Sequence, residues 1–297
     1  MVYNDNIAGI FPGQGIQRVG MGAAAFTTSF GKEILCQADI ALGEELSNLI
    51  LHGPVDMLNL AYNAQPAILC LCMAMFQIWK HNNNQDLTVL FGHSLGEYTA
   101  LVAAESLDFP TGIRLLRARG QAMYDHVSQG SMVVVIGPTA KQLQKIIDDN
   151  LSDTTLCSIS NENTFVQNTI AGCTKEVMMI KQIIIDSGLG KCIELKIDRP
   201  FHCPLALNAK EVLAQILNNT EIKPPKIPVM LGGRILSQPD KIREHLVEQL
   251  VTRVRWHDSV QYAIHTLGVQ KFVEFGFGTL SNMIKELDNS VECYNAI

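Results

Sequence analysis

Hydrophobic and polar positions fall into blocks whose period changes along the chain. Ile7–Phe11 is a short apolar run closed by Pro12-Gly13-Gln14-Gly15, which predicts a strand and a tight loop. From Pro66 to Trp79 nearly every face is apolar, which predicts a buried helix with Pro66 in its first turn. Thr88–Phe91 predicts a second strand. It runs into Gly92, and Leu95–Ala104 then predicts a helix. Ile113–Met123 sets apolar positions among arginines, the pattern of an amphipathic helix.

The pattern shifts near Gly130. Met132–Ile136, Thr155–Ile159, Asn168–Ala171 and Lys191–Ile197 read as strands, with helices at Ala140–Asp149 and Lys175–Ser187. The order β-α-β-β-α-β is that of a ferredoxin-like unit. Beyond it come helices at 205–217, 241–250 and 259–267, a strand entry at Pro224–Met230 and a strand at Lys271–Phe275. The expected fold is therefore α/β: a large subdomain of residues 1–128 and 198–297, with a small subdomain of 129–197 inserted.

Composition narrows the class. The chain has 297 residues, 47% hydrophobic and 18% charged, which is ordinary for a protein with a sizeable core. A net charge of −6 disfavours nucleic-acid binding. No run approaches the ~20 apolar residues of a membrane span. Residues 1–6 lack the basic and apolar blocks of a signal peptide. The eight cysteines include no C-x-x-C pair, so reduced thiols in a cytoplasmic protein are expected.

Gly92-His93-Ser94-Leu95-Gly96 fits G-x-S-x-G between a predicted strand and a predicted helix. Such an elbow presents a serine hydroxyl at a helix N-terminus, where backbone N–H groups favour a developing oxyanion. Phe11-Pro12-Gly13-Gln14-Gly15 is not a dinucleotide loop, because Arg18 stands where the third glycine would be. Its glycines can turn the Gln14 N–H inward as one oxyanion donor, with the Leu95 N–H as the other. His202 lies between Pro200 and Pro204 and is the candidate base. Asp198, only four residues before it, is an unusual position for an orienting acid.

Together F-P-G-Q-G (11–15), G-H-S-L-G-E-Y (92–98), R-G-Q-A-M (119–123), Asn161-x-Asn163 before Ile170-Ala171-Gly172, and Pro200-Phe201-His202-Cys203 resemble the malonyl-CoA:acyl-carrier-protein transacylase family. The resemblance covers essentially the whole chain, with 25 positions from Ser94 to Arg119 and 108 from Ser94 to His202. It implies an α/β-hydrolase-like large subdomain with a ferredoxin-like insert. It implies a Ser94–His202 dyad in which a backbone carbonyl, aligned to Arg255, orients the histidine. Arg119 would bind the malonyl carboxylate, Gln65 and His93 would lie by the acyl pocket, and Phe201 would favour malonyl over methylmalonyl units.

The implied reaction moves a malonyl group from CoA to an acyl carrier protein, or to carrier domains of a polyketide synthase. It needs no metal or redox cofactor, no nucleic acid and no membrane, and a monomer is expected. Two rivals remain: an acyl-carrier-protein acyl hydrolase, and a non-catalytic protein that only docks a carrier. Phe165, Arg199 and Phe277 depart from the family pattern and put the pocket rim in question. Arg199, Arg253 and Arg255 are the expected basic contacts for an acidic carrier.

Overall fold

A computed structural model describes residues 6–197, 199–277 and 280–296. Among these residues ten strands form two sheets. They are β1 (Ile7–Phe11), β2 (Val89–Gly92), β3 (Ser131–Ile136), β4 (Cys157–Glu162), β5 (Gln167–Gly172), β6 (Lys191–Glu194), β7 (Val229–Leu231), β8 (Arg234–Leu236), β9 (Lys271–Glu274) and β10 (Glu292–Asn295). The large sheet has the order β10-β9-β1-β2-β7-β8, parallel except for β8.

The unbroken apolar run of β1 follows from burial on both faces. Side chains alternate across a strand. Ile7 and Phe11 therefore enter one core, with Leu90 of β2 and the helices Ala61–Asn82 and Phe109–His126. Ala8 and Ile10 enter a second core, with Phe91 and the helices Trp256–His265 and Leu280–Leu287.

The small sheet has the order β4-β5-β3-β6 and is antiparallel throughout, which is the ferredoxin-like arrangement the element order predicts. Val133 and Val135 face its two helices, packing on Leu143, Ile147, Val177 and Ile180. The period of two turns Met132 and Val134 the other way, toward the large subdomain. The two units are stitched together where Val254 N–H donates to Ser160 O at 2.8 Å and Val254 O accepts from Glu162 N–H at 2.9 Å.

Several elements differ from the sequence reading. The helix around Pro66 starts at Ala61, so Pro66 lies inside it, past the first turn. Polar side chains hid that start: Asn63 Nδ2 donates to Met57 O, and Gln65 is drawn into the site described below. The helix is long and apolar enough to cross a membrane, but its side chains are largely buried in the core. The strand expected over 191–197 stops at Glu194, because the chain turns with Ile197 N–H on Leu195 O. Four helices within 23–59, strands β8 and β10, and the helix Leu280–Leu287 had no counterpart in the expected elements.

Candidate active site

Strands β1 and β2 are neighbours and parallel, so the loops that follow them emerge side by side. His93 N–H donates to Phe11 O at 3.0 Å, which joins the two loops. Ser94 sits between β2 and the helix Leu95–Ala103 with φ 54°, a conformation that costs an L-residue energy and marks a strained turn. The glycines make this turn possible: a Cβ on Gly96 would lie 2.1 Å from Phe11 O, and one on Gly92 would lie 2.2 Å from Gly96 C. The Leu95 N–H opens the helix, where it has no carbonyl four residues back to bond.

His202 reaches Ser94 from the other side. Its Nε2 is 2.8 Å from Ser94 Oγ, and its Nδ1 is 2.7 Å from Gln249 O. Because a carbonyl only accepts, Nδ1 carries the proton and Nε2 presents a lone pair to the hydroxyl. The His202 N–H also donates to Leu250 O at 2.9 Å. His202 is buried, and its φ is 60°. Burial, followed by the charge of Arg119, pushes its pKa down to about 3, so the imidazole is neutral at physiological pH and able to take a proton.

Arg119 is the third element. It comes from the helix Phe109–His126 and is 1% exposed. Nη2 lies 3.3 Å from Ser94 Oγ and 3.1 Å from Gln249 Oε1, and Nη1 donates to Gln65 Oε1 at 2.8 Å. The guanidinium stands over the Tyr98 ring, 5.2 Å from its centroid. Its Nε has no hydrogen-bond partner among the described residues.

Ser94 and His202 line a cleft of about 610 Å³ between the two subdomains, and Arg119 is buried behind Ser94. The large subdomain supplies Gln14, His93, Ser94, Phe201 and His202 to its lining; the small sheet supplies Met132, Val134 and Thr169. Gln14 Oε1 accepts from Gln65 Nε2 at 3.3 Å, which ties the loop after β1 to the Arg119 cluster. His93 Nε2 pairs with Asn163 Oδ1 at 3.0 Å, across the subdomain boundary. The Phe201 ring stands edge-on to His202, with centroids 6.4 Å apart.

One assigned residue is corrected. The carbonyl bonded to His202 belongs to Gln249, and the Arg255 carbonyl instead accepts from Ser259 N–H and Oγ–H at the start of the helix Trp256–His265. The helix Pro239–Glu248 ends one residue before Gln249, and the Gln249 and Leu250 carbonyls just past that end face His202. Asp198 lies outside the described residues.

The three departures from the family pattern do not line the cleft. Phe165 is half exposed and packs edge-on against His257, and Phe277 lies under the Arg18 guanidinium. Arg199 donates to Val127 O and stacks on Tyr124. The proposed carrier contacts are also engaged: Arg253 pairs with Glu162 and Arg255 with Asp258. Residues that the sequence reading passed over complete the cluster. They are Gln249, Glu97 and His245, with Glu97 Oε2 2.7 Å from His245 Nε2 and bonded to Gln249 Nε2. Glu97 stood within the quoted motif; Gln249 and His245 read as ordinary polar positions of a terminal helical turn.

The family model for the acyl transferase domain matches residues 9–289. The malonyl CoA-acyl carrier protein transacylase of Bacillus subtilis is 34% identical over 96% of this chain and 92% of its own length. The solved malonyl CoA-acyl carrier protein transacylase of Coxiella burnetii superposes with a TM-score of 0.94 at 32% identity, covering 100% of this chain and 95% of that one. A chain from the solved complex of a type II PKS acyl-carrier protein with its malonyl-transacylase is a further match, with TM-score 0.93 and 31% identity over 98% of this chain and 95% of that chain. With the α/β-hydrolase-like and ferredoxin-like subdomains in place, this chain belongs to the malonyl-CoA:acyl-carrier-protein transacylase family of acyltransferases.

Proposed function

We propose that the protein moves a malonyl group from CoA to the phosphopantetheine thiol of an acyl carrier protein through a malonyl ester on Ser94. The observation that carries this is Arg119. It is a buried cation beside the nucleophile, and among the described residues no carboxylate pairs with it. An unpaired buried charge is costly. A substrate carboxylate would complete the pair, and the planar guanidinium suits it.

In the first half-reaction Ser94 Oγ attacks the thioester carbonyl carbon and gives its proton to His202 Nε2. The oxyanion sits against the Gln14 and Leu95 N–H groups. The C–S bond breaks, and the CoA thiolate takes the proton from His202. The carrier thiol then attacks the malonyl ester by the same steps in reverse. Gln249 O holds the imidazole in the required tautomer and stabilises the imidazolium as it forms. The catalytic groups all come from the parts assigned to residues 1–128 and 198–297, and the 129–197 unit closes the cleft. One chain supplies the whole site, which supports action as a monomer. Eight free thiols support a cytoplasmic setting.

Intact-mass measurement after incubation with malonyl-CoA tests the reading. One malonyl group should add to the protein, Ser94→Ala should abolish the adduct, and holo carrier protein should discharge it. An adduct that survives Ser94→Ala removes the mechanism. Faster release of free acid than carrier loading makes the protein a hydrolase instead.

A further inference from the structure

Behind the Ser94 helix lies a charged pair that the transfer mechanism above does not use. Glu97 is 6% exposed, and three donors reach it: Gly232 N–H at 2.8 Å, His245 Nε2 at 2.7 Å and Gln249 Nε2 at 2.5 Å. Gln249 is held at every polar atom of its amide. Nε2 donates to Glu97 and to Ser94 O at 2.9 Å, and Oε1 accepts from Arg119. An amide can flip end for end with little change in shape. Here the flip is blocked at both ends, since Arg119 only donates and ionised Glu97 only accepts.

The charge on Glu97 is itself maintained. Burial works to raise its pKa, but the His245 charge, with the hydrogen bonds, outweighs this and keeps the carboxyl ionised. Burial likewise opposes charge on His245, and Glu97 overcomes it, so the imidazole pKa is raised; Arg234 acts weakly against this. His245 also lies in the last turn of the helix Pro239–Glu248, where a cation is favoured.

We propose that Glu97 and His245 are positioning residues for malonyl recognition: together they lock the Gln249 amide with its oxygen toward Arg119, which sets the guanidinium beside Ser94. The inference rests on the malonyl-transfer reading and goes beyond it by naming what aims the carboxylate receptor. The effect should fall on selectivity, because His202 is held by the backbone oxygen of Gln249, not by its side chain. A merely structural pair would lower all acyl substrates alike.

The test compares kcat/KM for malonyl-CoA and acetyl-CoA in Glu97→Gln, His245→Gln and Gln249→Met, with Arg119→Ala as reference. The malonyl-to-acetyl ratio should fall about tenfold in Glu97→Gln and in Gln249→Met, and by a smaller factor in His245→Gln. The double variant Glu97→Gln/Gln249→Met should lose no more than Gln249→Met alone, as expected for residues acting in series. If Glu97→Gln fails to fold, the other two variants still decide. An unchanged ratio in Gln249→Met and His245→Gln, with Arg119→Ala defective, overturns this inference and leaves malonyl transfer standing. A wild-type protein with no malonyl preference overturns both.

Discussion

The two walls of the cleft are secured in different ways. On the large-subdomain wall Gln14, Ser94 and His202 are backed by a buried chain of polar contacts that runs from Gln14 through Gln65, Arg119 and Gln249 to Glu97 and His245. The small-subdomain wall sets the apolar Met132, Val134, Leu195 and Ile197 beside the polar Asn161, Asn163, Gln167, Thr169 and Lys196. In the first wall each group is fixed by its neighbours, so a lost partner leaves a buried donor or acceptor unpaired. At the apolar positions of the second, contact is non-directional, and change is absorbed as a change of shape. On the proposed mechanism the chemistry belongs to the first wall, and the fit of the acyl chain and the arm to both.

The largest effects are expected on the large-subdomain wall. His202→Ala removes the base and should slow malonyl loading of Ser94 by about 10²–10⁴-fold, read from adduct formation by mass. A loss below about tenfold would assign the base elsewhere. Arg119→Ala should act on the substrate, not the chemistry. Malonyl kcat/KM should fall about ten- to a hundredfold while acetyl falls much less. Equal losses would remove the receptor role.

A smaller effect is expected where the polar wall becomes apolar. Phe201 lines the cleft beside His202, and on the proposed malonyl-transfer mechanism its ring would fill the space that a 2-methyl branch needs. Phe201→Ala should raise the methylmalonyl-to-malonyl ratio of kcat/KM by about tenfold. An unchanged ratio in competition between the two CoA esters would make the ring simple packing.

How much of this was legible in the sequence divides along the same line. Ser94, His202 and Arg119 stood in motifs, and the two-subdomain fold followed from the change of hydrophobic period near Gly130. What escaped was nonlocal. A carbonyl has no side-chain signature, so the one that holds His202 was assigned to Arg255 when Gln249 carries it. Gln249 and His245 look like the polar face of an amphipathic helix until the fold brings Glu97 against them. The helices Ala23–Phe26, Leu46–His52 and Val55–Asn59 are short pieces whose packing sets their limits more than their own pattern does. Phe165, Arg199 and Phe277 raised doubt about the pocket because sequence does not show which way a loop side chain turns.

The smallest expected effect is a pH response that is nearly absent. An ordinary imidazole has a pKa of 6.5, and His202 is held near 3 by burial first and by the Arg119 charge second, with His93 acting the same way and the Gln249 carbonyl and Glu97 against. The base is therefore neutral across the range where free histidine titrates. The kcat/KM for malonyl loading, which reports the free enzyme, should change less than about twofold between about pH 8 and about pH 5. Stability should behave differently. The folded pKa is depressed, so between 6.5 and about 3 the unfolded chain binds a proton that the folded chain does not. This contribution is full above 6.5 and is lost as pH falls toward the folded value. The thermal midpoint should thus decline on acidification while the rate per folded molecule holds. Substrate adds a further distinction. When the malonyl carboxylate pairs with Arg119, one of the two main causes holding His202 down is cancelled. The acid limb of kcat should then lie at higher pH than that of kcat/KM, and Arg119→Ala should move the limb of kcat/KM upward as well. A wild-type kcat/KM that halves near pH 6.5 would show an ordinary, solvated histidine and would break the link between Arg119 and the base.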